Sequence, residues 1–227
     1  MARKGALRAD TADMNTIFFD LDGTLTDPKV GITRSIQYAL TKLGREAPPE
    51  DELTWCIGPP LHASLARLVG SDDLADRALL LYRERFSEIG IYENAVYAGI
   101  EATLAALADG SRRLFVATSK PRIYATRIID HFKLGSYFEY VFGSELDGTR
   151  TDKSDLLQYA LATTGIDSAE ALMIGDRSHD IVGARNNGMR AFGVLYGFGS
   201  RDELIEAGAH GLCAAPHDIA RQAIQLR

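Results

Sequence analysis

Two aspartates separated by one residue are the part of this sequence best suited to chemistry. Asp20 and Asp22 follow the apolar residues 17–19, which are typical of a buried strand. Ligands of an open α/β sheet bind beyond the carboxyl ends of its strands, so both carboxylates can converge there on one metal ion and one substrate. Gly23 permits the tight turn and close backbone approach that a bound oxyanion requires. Taken alone, the same residues are equally consistent with a polar strand end followed by an ordinary turn.

Three further groups of polar residues follow the ends of later predicted strands. Ser119 and Lys120 form the first group, in which a hydroxyl near a helix N-terminus can bind phosphate, with an ordinary helix cap as the alternative. Lys153 is the second, and a solvent-exposed lysine is its alternative. Asp176 and Asp180 form the third, where a helix N-terminus with an acidic first turn is the alternative. The shared position at strand ends favours one common site.

Short apolar runs alternate with amphipathic stretches from Glu93 onward, which is how a parallel sheet covered by helices appears in a sequence. The predicted buried strands are residues 17–19, 114–117, 140–142, 171–174 and 191–195. The predicted helices between them are residues 100–108, 123–132, 154–163 and 181–187. This alternation predicts an α/β fold.

A long segment without a predicted strand separates the first strand from the second. Helical periodicity covers residues 32–43, 61–69 and 74–89 within it. An insertion of this kind forms a small all-helical domain. The predicted boundaries are residues 28–94 for the helical domain, residues 14–27 and 95–227 for the α/β domain, and residues 1–13 for a flexible N-terminal segment.

The composition restricts the expected partners. A formal net charge of −6 offers no basic surface for nucleic acid or anionic lipid, so a small solute is the expected partner. The sequence contains neither an apolar run long enough to span a membrane nor a secretory signal. We therefore expect a cytoplasmic protein. Cys56 and Cys213 stand in no metal-binding or redox spacing and are expected to be buried, reduced thiols. Apolar positions on the inserted helices favour internal packing, and hence a monomer.

Four motifs occur in a fixed order along the chain: D-L-D-G-T at residues 20–24, S-K-P at residues 119–121, a lysine at position 153 and G-D-R-x-x-D at residues 175–180. Together they resemble the haloacid dehalogenase-like superfamily of hydrolases, and within it the phosphoglycolate phosphatase-like branch. The resemblance extends from Thr16 to about Ala215. It implies a Rossmann-like parallel sheet core in which the all-helical insertion forms a mobile cap domain.

The same resemblance implies a Mg²⁺-dependent phosphatase that hydrolyses a small phosphate monoester through an aspartyl-phosphate. Asp20 would attack phosphorus, while Asp22 would protonate the leaving alkoxide and later activate the hydrolytic water. Ser119 and Lys153 would hold the oxygens of the transferring phosphoryl group. The Mg²⁺ ion would bind Asp176, the Asp20 side chain and the Asp22 backbone carbonyl.

Other motif residues are expected to support this site. Gly23 and Thr24 belong to the turn that approaches the phosphate. Asp180 would orient a metal-bound water or Lys153. Lys120 would add a second positive contact to the substrate.

Specificity is expected to lie in the cap, because the core contacts only the phosphoryl group. Arg34, on the first predicted cap helix, can pair bidentately with a substrate carboxylate or a second phosphate, with a solvated helix face as the alternative. Residues 57–61 form a rigid turn that resembles the loop closing over the site in this branch. Phosphoglycolate, nucleoside monophosphates, sugar phosphates and pyrophosphate all remain candidate substrates.

Several rival functions use the same scaffold. The presence of Asp22 argues against dehalogenation, which has no leaving alkoxide to protonate. Phosphonate cleavage requires a cap lysine for a Schiff base, and the cap offers only Lys29 and Lys42. A sugar-phosphate mutase and a pyrophosphatase would carry the same motifs. A non-catalytic binding protein is the alternative outside enzymes, and the loss of an essential acid would be its expected mark.

Overall fold

The structure, a computed structural model, describes residues 14–225. Its strands are, in chain order, β1 (Thr16–Phe19), β2 (Thr26–Asp27), β3 (Ala95–Val96), β4 (Arg113–Pro121), β5 (Tyr140–Ser144), β6 (Ala171–Gly175), β7 (Arg190–Val194) and β8 (Gly211–Cys213). Its α-helices are α1 (Lys29–Lys42), α2 (Leu61–Val69), α3 (Asp72–Phe86), α4 (Ile100–Asp109), α5 (Arg122–His131), α6 (Lys153–Thr164), α7 (Ser178–Asn186), α8 (Arg201–Glu206) and α9 (Pro216–Gln225). Short 3₁₀ helices occupy Glu50–Cys56, Gly90–Tyr92, Gly135–Tyr137 and Ser168–Glu170. The flexible segment predicted at residues 1–13 lies outside the described residues.

Six strands form one parallel sheet in the order β5-β4-β1-β6-β7-β8. All five predicted strands belong to it, so the predicted fold class is confirmed. The sixth strand, β8, was not predicted, because three residues at a sheet edge are too few to show a strand pattern. Helices α8 and α9 were also not predicted. None of the helices within residues 14–225 has the length and apolar character needed to cross a bilayer.

The central strand β1 is covered on both faces, and all four of its residues are buried. Ile17 and Phe19 belong to one apolar cluster with α4, α5 and α9, whereas Phe18 belongs to a second cluster with α6 and α7. A parallel strand that is covered on both faces consists of a continuous run of apolar residues. This pattern made β1 recognisable in the sequence. Fully burying each such side chain contributes about 1.5–3 kcal/mol. This packing holds the start of the following loop, Asp20, in a defined position.

Strands β2 and β3 pair as a small antiparallel ribbon, and helices α1, α2 and α3 occur between these two strands in the chain. The chain leaves the sheet through β2 and returns through β3. Helix α3 begins after Ser71, whose hydroxyl accepts a hydrogen bond from the Leu74 amide, and α2 ends at Gly70 in the left-handed conformation. Gly31 lets α1 approach the chain that returns to the sheet, since a Cβ there would lie 2.0 Å from the Gly90 carbonyl oxygen.

Candidate active site

Three neighbouring strands deliver the predicted site residues to one edge of the sheet. Asp20 follows β1, Ser119 lies near the end of β4, and Asp176 follows β6. Strand β1 pairs in parallel with both β4 and β6, so their carboxyl ends lie side by side. The chain order reverses across β1, and a reversal of this kind opens a crevice for ligands at the carboxyl edge of the sheet.

Lys153 lies between two of the acids. Its Nζ is 3.0 Å from Oδ1 of Asp20 and 2.7 Å from Oδ1 of Asp180, and it donates a hydrogen bond of 2.9 Å to the Ala117 carbonyl oxygen. Asp152 caps helix α6 at the Ser154 and Asp155 amides, which places Lys153 at the first helical position. Burial disfavours its charged form, but the Asp180 and Asp20 carboxylates outweigh burial and raise the pKa of Lys153. The ammonium group therefore stays charged.

Asp22 forms a second buried ion pair. The Nζ of Lys120 lies 2.8 Å from Oδ2 of Asp22 and also 4.5 Å from the centroid of the Phe86 ring. Oδ1 of Asp22 is buried without a hydrogen-bond partner among residues 14–225. Burial raises the pKa of Asp22, and Lys120 only partly offsets this effect. A carboxyl group that holds a proton readily and has one uncommitted oxygen suits a general acid.

Asp20, Asp176 and Asp180 form a buried acidic cluster, in which one carboxylate oxygen of each lies within 4.8 Å of the others. Burial, reinforced by the charges of Asp180 and Asp20, raises the pKa of Asp176 well above its ordinary value. Lys153 supplies one positive charge to these three acids. With all three carboxylates ionised, the cluster would therefore keep a net negative charge. Buried carboxylate oxygens of this kind fit a hard divalent cation, which would supply the missing positive charge.

The hydrogen bonds distinguish the three acids from one another. Asp180 uses both oxygens, since Oδ1 contacts Lys153 and Oδ2 accepts a hydrogen bond of 3.1 Å from the Arg177 amide. Oδ2 of Asp176 accepts a hydrogen bond of 2.8 Å from the Phe198 amide, and the Thr24 hydroxyl lies 3.5 Å from Oδ1. Asp20 and Asp176 therefore keep oxygen lone pairs for a cation, while Asp180 orients Lys153.

Gly23 lies against Asp176 in a conformation that disfavours other residues. Its φ is +83°, and a Cβ there would lie 2.2 Å from Oδ2 of Asp176. We expect Gly23→Ala to displace this carboxylate and to weaken the binding of a divalent cation, probed with Mg²⁺, by at least about tenfold, equivalent to about 1.4 kcal/mol. Isothermal titration of the purified variants with Mg²⁺ measures the effect. Gly44→Ala is the matched control, because Gly44 also has a positive φ, +71°, but nothing lies within 4 Å of its Cβ position. Equal Mg²⁺ affinities of the two variants would contradict the assignment.

Sequence reasoning missed the loop at residues 196–199, which follows β7 and covers Asp176. The Phe198 amide bonds to the carboxylate, and the Tyr196 hydroxyl donates a hydrogen bond of 3.0 Å to the Thr24 carbonyl oxygen. Gly199 allows the close approach, since a Cβ there would lie 1.9 Å from the Asp176 carbonyl oxygen. Two glycines spaced by one residue, Gly197 and Gly199, follow the predicted strand at residues 191–195 and are the signal that could have revealed this loop.

The structure does not bring Arg34 to this site. Its Nε lies 2.9 Å from Oε1 of Glu50, and its Nη1 lies 3.5 Å from Oε1 of Glu93. About half of the side chain, 49%, is exposed, and Arg34 does not line the cavity above Asp20. The geometry favours the alternative, a solvated helix face, over the predicted contact with substrate.

A cavity of about 590 Å³ opens above Asp20 between the sheet edge and the inserted helices. Its volume lies in the range of roughly 300–1,000 Å³ that small-molecule sites occupy. Asp20, Asp22 and Ser119 line the sheet side, and the Ser119 hydroxyl has no hydrogen-bond partner among the described residues. Arg177 joins the two sides, because its Nη1 donates a hydrogen bond of 2.5 Å to the Ile57 carbonyl oxygen.

The model of the family described as haloacid dehalogenase-like hydrolase matches residues 17–194. This range contains all four motifs. The chain belongs to the haloacid dehalogenase-like hydrolases. The resemblance drawn from the motifs is therefore confirmed.

Relatives of this haloacid dehalogenase-like hydrolase carry several names. The 5′-nucleotidase of Pseudomonas aeruginosa is 50% identical over 189 residues, which cover 83% of this chain and 86% of that protein. The tyrosine-protein kinase PtkA of Mycobacterium tuberculosis is 40% identical over 82% of this chain and 64% of its own length. The phosphoglycolate phosphatase of Caulobacter vibrioides is 31% identical over 94% of this chain and 93% of its own.

A solved structure supports the same family at the level of the fold. The crystal structure of a predicted phosphatase from Clostridium acetobutylicum aligns with a TM-score of 0.90 and 41% identity, covering 93% of this chain and 98% of that one. The haloacid dehalogenase-like hydrolase described here is a phosphatase, as the resemblance implied.

Proposed function

We propose that this phosphatase hydrolyses a small phosphate monoester in two steps through a phosphorylated Asp20, with Mg²⁺ bound at the acidic cluster. One observation carries the proposal: Asp20 and Asp22 both line the cavity and are both buried, yet each contacts a different lysine. Two carboxyl groups in such different surroundings can take different chemical roles.

In the first step, a carboxylate oxygen of Asp20 attacks phosphorus, and the bond between phosphorus and the ester oxygen breaks. The leaving alkoxide takes its proton from Asp22. The raised pKa of Asp22 supports this role, because a general acid must hold a proton until the bond breaks. Lys120, 2.8 Å from Asp22, stabilises the carboxylate that remains.

In the second step, a water molecule attacks the phosphorus of the aspartyl-phosphate. Asp22 takes the proton of this water, the bond between phosphorus and Asp20 breaks, and inorganic phosphate leaves. Dividing one difficult displacement into two easier ones is the general advantage of a covalent intermediate.

Other residues of the site position the phosphoryl group. Lys153 holds Asp20 at 3.0 Å and places positive charge where the phosphoryl oxygens carry negative charge. The uncommitted hydroxyl of Ser119 can donate to the same oxygens. Asp20 and Asp176 would hold Mg²⁺, which when bound neutralises charge on the phosphoryl group.

Residues 28–94 would act as a cap over this chemistry. Helices α2 and α3 supply one wall of the cavity above Asp20, and the ribbon of β2 and β3 joins them to the sheet. A cap of this kind excludes bulk water during phosphorylation of Asp20 and opens to release product. The described lining contains no lysine from residues 28–94, since Lys29 pairs with Asp51 and Lys42 lies over the Tyr38 ring. Nothing in the cavity therefore favours phosphonate cleavage.

The decisive experiment follows 4-nitrophenyl phosphate hydrolysis with Asp22→Asn. We expect a burst of nitrophenolate equal to the enzyme concentration, followed by turnover slowed by about 10²–10⁴-fold, because nitrophenolate leaves without an acid whereas the water attack still needs a base. Acid quenching should then recover phosphate bound to protein. Chelation of Mg²⁺ should abolish the burst, and added Mg²⁺ should restore it.

Matched controls separate this proposal from its rivals. Asp130→Asn alters an exposed aspartate outside the cavity and should behave as wild type. Phosphate that appears on a second sugar hydroxyl instead of in solution would indicate a mutase. Wild-type protein that binds Mg²⁺ but releases no phosphate from any ester would indicate a binding protein.

A further inference from the structure

The cavity continues from Asp20 into a chamber with an aromatic wall. Tyr82 and Phe86 of α3 stack at 5.1 Å between ring centroids with an interplanar angle of 14°, and Tyr124 of α5 meets Phe86 edge-on at 5.5 Å. All three rings line the cavity. Tyr82 and Phe86 are 4% and 2% exposed, so they are held firmly in place. One face of each ring is covered by the other, and together they form a fixed aromatic wall against which a ligand ring can pack.

The aromatic wall begins beside the proposed general acid. Lys120 joins the two, because its Nζ contacts Asp22 at 2.8 Å and lies 4.5 Å from the centroid of Phe86. The leaving group must lie next to Asp22 when its oxygen is protonated. The part of the substrate beyond that oxygen therefore extends along Tyr82 and Phe86.

Apolar side chains continue this surface toward the mouth. Leu61, Leu79, Leu80 and Leu146 all line the cavity, and Leu80 and Leu146 are exposed at 67% and 43%. Exposed leucines at the mouth of a cavity mark a surface that becomes buried when an apolar group enters.

The charges of the chamber oppose a second anionic group. Beyond the catalytic pair, the lining acids are Asp76, Glu145 and Asp147. His62 lies 3.0 Å from Asp76, and Lys120 is paired with Asp22, so neither is free for a substrate anion. The Thr149 amide donates to Asp147 and lowers the pKa of its carboxyl group. Asp147 is therefore ionised at neutral pH.

Arg83 is the remaining lining cation among the described residues. Its Nη2 donates a hydrogen bond of 2.7 Å to the Leu146 carbonyl oxygen, which fixes the guanidinium across the chamber. This bond makes Arg83 a link between α3 and the loop after β5. Glu145 is in turn paired with Arg150, and Asp76 with His62, so Arg83 is the one cation of the described lining that is not already paired with an acid.

We infer that the leaving group of the substrate carries a flat aromatic or heteroaromatic ring and no second anion. The inference rests on the proposed function and names the leaving group of that same site. Aryl phosphates and nucleoside 5′-monophosphates share this chemistry, whereas phosphoglycolate and sugar bisphosphates lack the ring and carry a second anion.

Two substrate pairs test the inference on the wild-type enzyme with Mg²⁺. Adenosine 5′-monophosphate and ribose 5-phosphate differ by the base, and we expect the base to raise kcat/KM by at least about tenfold through stacking. Phenyl phosphate and 4-carboxyphenyl phosphate differ by a carboxylate, which should lower kcat/KM by at least about fivefold. The relative values for phenyl phosphate and adenosine 5′-monophosphate then distinguish an aryl from a nucleoside source.

A variant identifies the surface that recognises the ring. Phe86→Leu should lower the ratio of kcat/KM for adenosine 5′-monophosphate over ribose 5-phosphate by about three- to tenfold, because an aromatic contact of the wall is lost. Phe132→Leu is the matched control, since Phe132 does not line the cavity, and its ratio should equal that of wild type. If Phe86→Leu does not fold, the two substrate pairs still test the inference on the wild-type enzyme.

The outcomes separate this inference from the proposed function. Equal or higher kcat/KM for ribose 5-phosphate or phosphoglycolate would overturn the inference and leave the proposed function intact. Loss of phosphoglycolate hydrolysis in Arg83→Leu would then assign Arg83 as a carboxylate receptor. Wild-type enzyme without activity on any of the esters, 4-nitrophenyl phosphate included, would overturn both.

Discussion

Replacing Asp20 by asparagine is expected to lower kcat by at least about 10⁴-fold, the scale seen when a catalytic nucleophile is removed. The amide has nearly the same shape as the carboxylate but is a poor nucleophile. Asp22 cannot take over the attack, because burial raises its pKa and so favours the protonated carboxyl group, which is a poor nucleophile. Asp176 and Asp180 cannot replace Asp20 either, since both are buried and neither lines the cavity.

The measurement is phosphate release from 4-nitrophenyl phosphate at saturating Mg²⁺, with acid-quenched protein analysed for bound phosphate. Asp20→Asn should show neither a nitrophenolate burst nor phosphoprotein, which distinguishes it from Asp22→Asn, where the burst persists. Circular dichroism spectra that match wild type would show that the fold is retained. Activity above about 1% of wild type would remove Asp20 from the role of nucleophile.

Replacing Lys153 by alanine is expected to produce the second largest effect, a loss of at least about 10³-fold in the single-turnover rate, because charge stabilisation of the phosphoryl group is a major part of catalysis. Stability should also fall. Lys153 is 4% exposed and contacts both Asp20 and Asp180. Removing one partner of a buried ion pair costs about 3–5 kcal/mol, since the remaining charges lose their compensation.

The loss of stability in Lys153→Ala should depend on pH. Burial raises the pKa of Asp180 in the folded state, and Lys153 opposes this rise. Without the lysine, the folded state binds protons more tightly than the unfolded state, so stability falls as pH rises through the acidic range. The loss relative to wild type should therefore be larger at pH 8 than at pH 5, as measured by guanidinium unfolding.

Two other lysines are compared with Lys153 to test this assignment, one as a control and one with a different expected defect. Lys133 is exposed, and Lys133→Ala should leave the single-turnover rate unchanged. Lys120→Ala should impair leaving-group departure through Asp22, so its effect should be smaller with 4-nitrophenyl phosphate than with an alkyl phosphate. A fully active Lys153→Ala enzyme would end the assignment of Lys153.

Much of the fold was predictable because strands and turns leave local patterns. All residues of β1 and β6, and those of β7 after Arg190, are buried, and continuous apolar runs marked these strands. Polar residues directly after these runs pointed to the carboxyl edge of the sheet, where the structure places Asp20 and Asp176. By contrast, β8 has only three residues, and its place beside β7 depends on the packing of the rest of the sheet.

The sequence by itself determined the α/β class, the family and the residues that meet at the strand ends, because side-chain periodicity and short motifs are local properties. The tertiary structure alone decided which charges pair across the chain. It joined Lys153 to Asp20 and Asp180, placed the amide of Phe198 on Asp176, and kept Arg34 with Glu50. Such partners lie far apart in sequence, so their distances follow from how the helices pack on the sheet. The same packing sets Phe86 beside Lys120, in the wall that we infer to contact the leaving group.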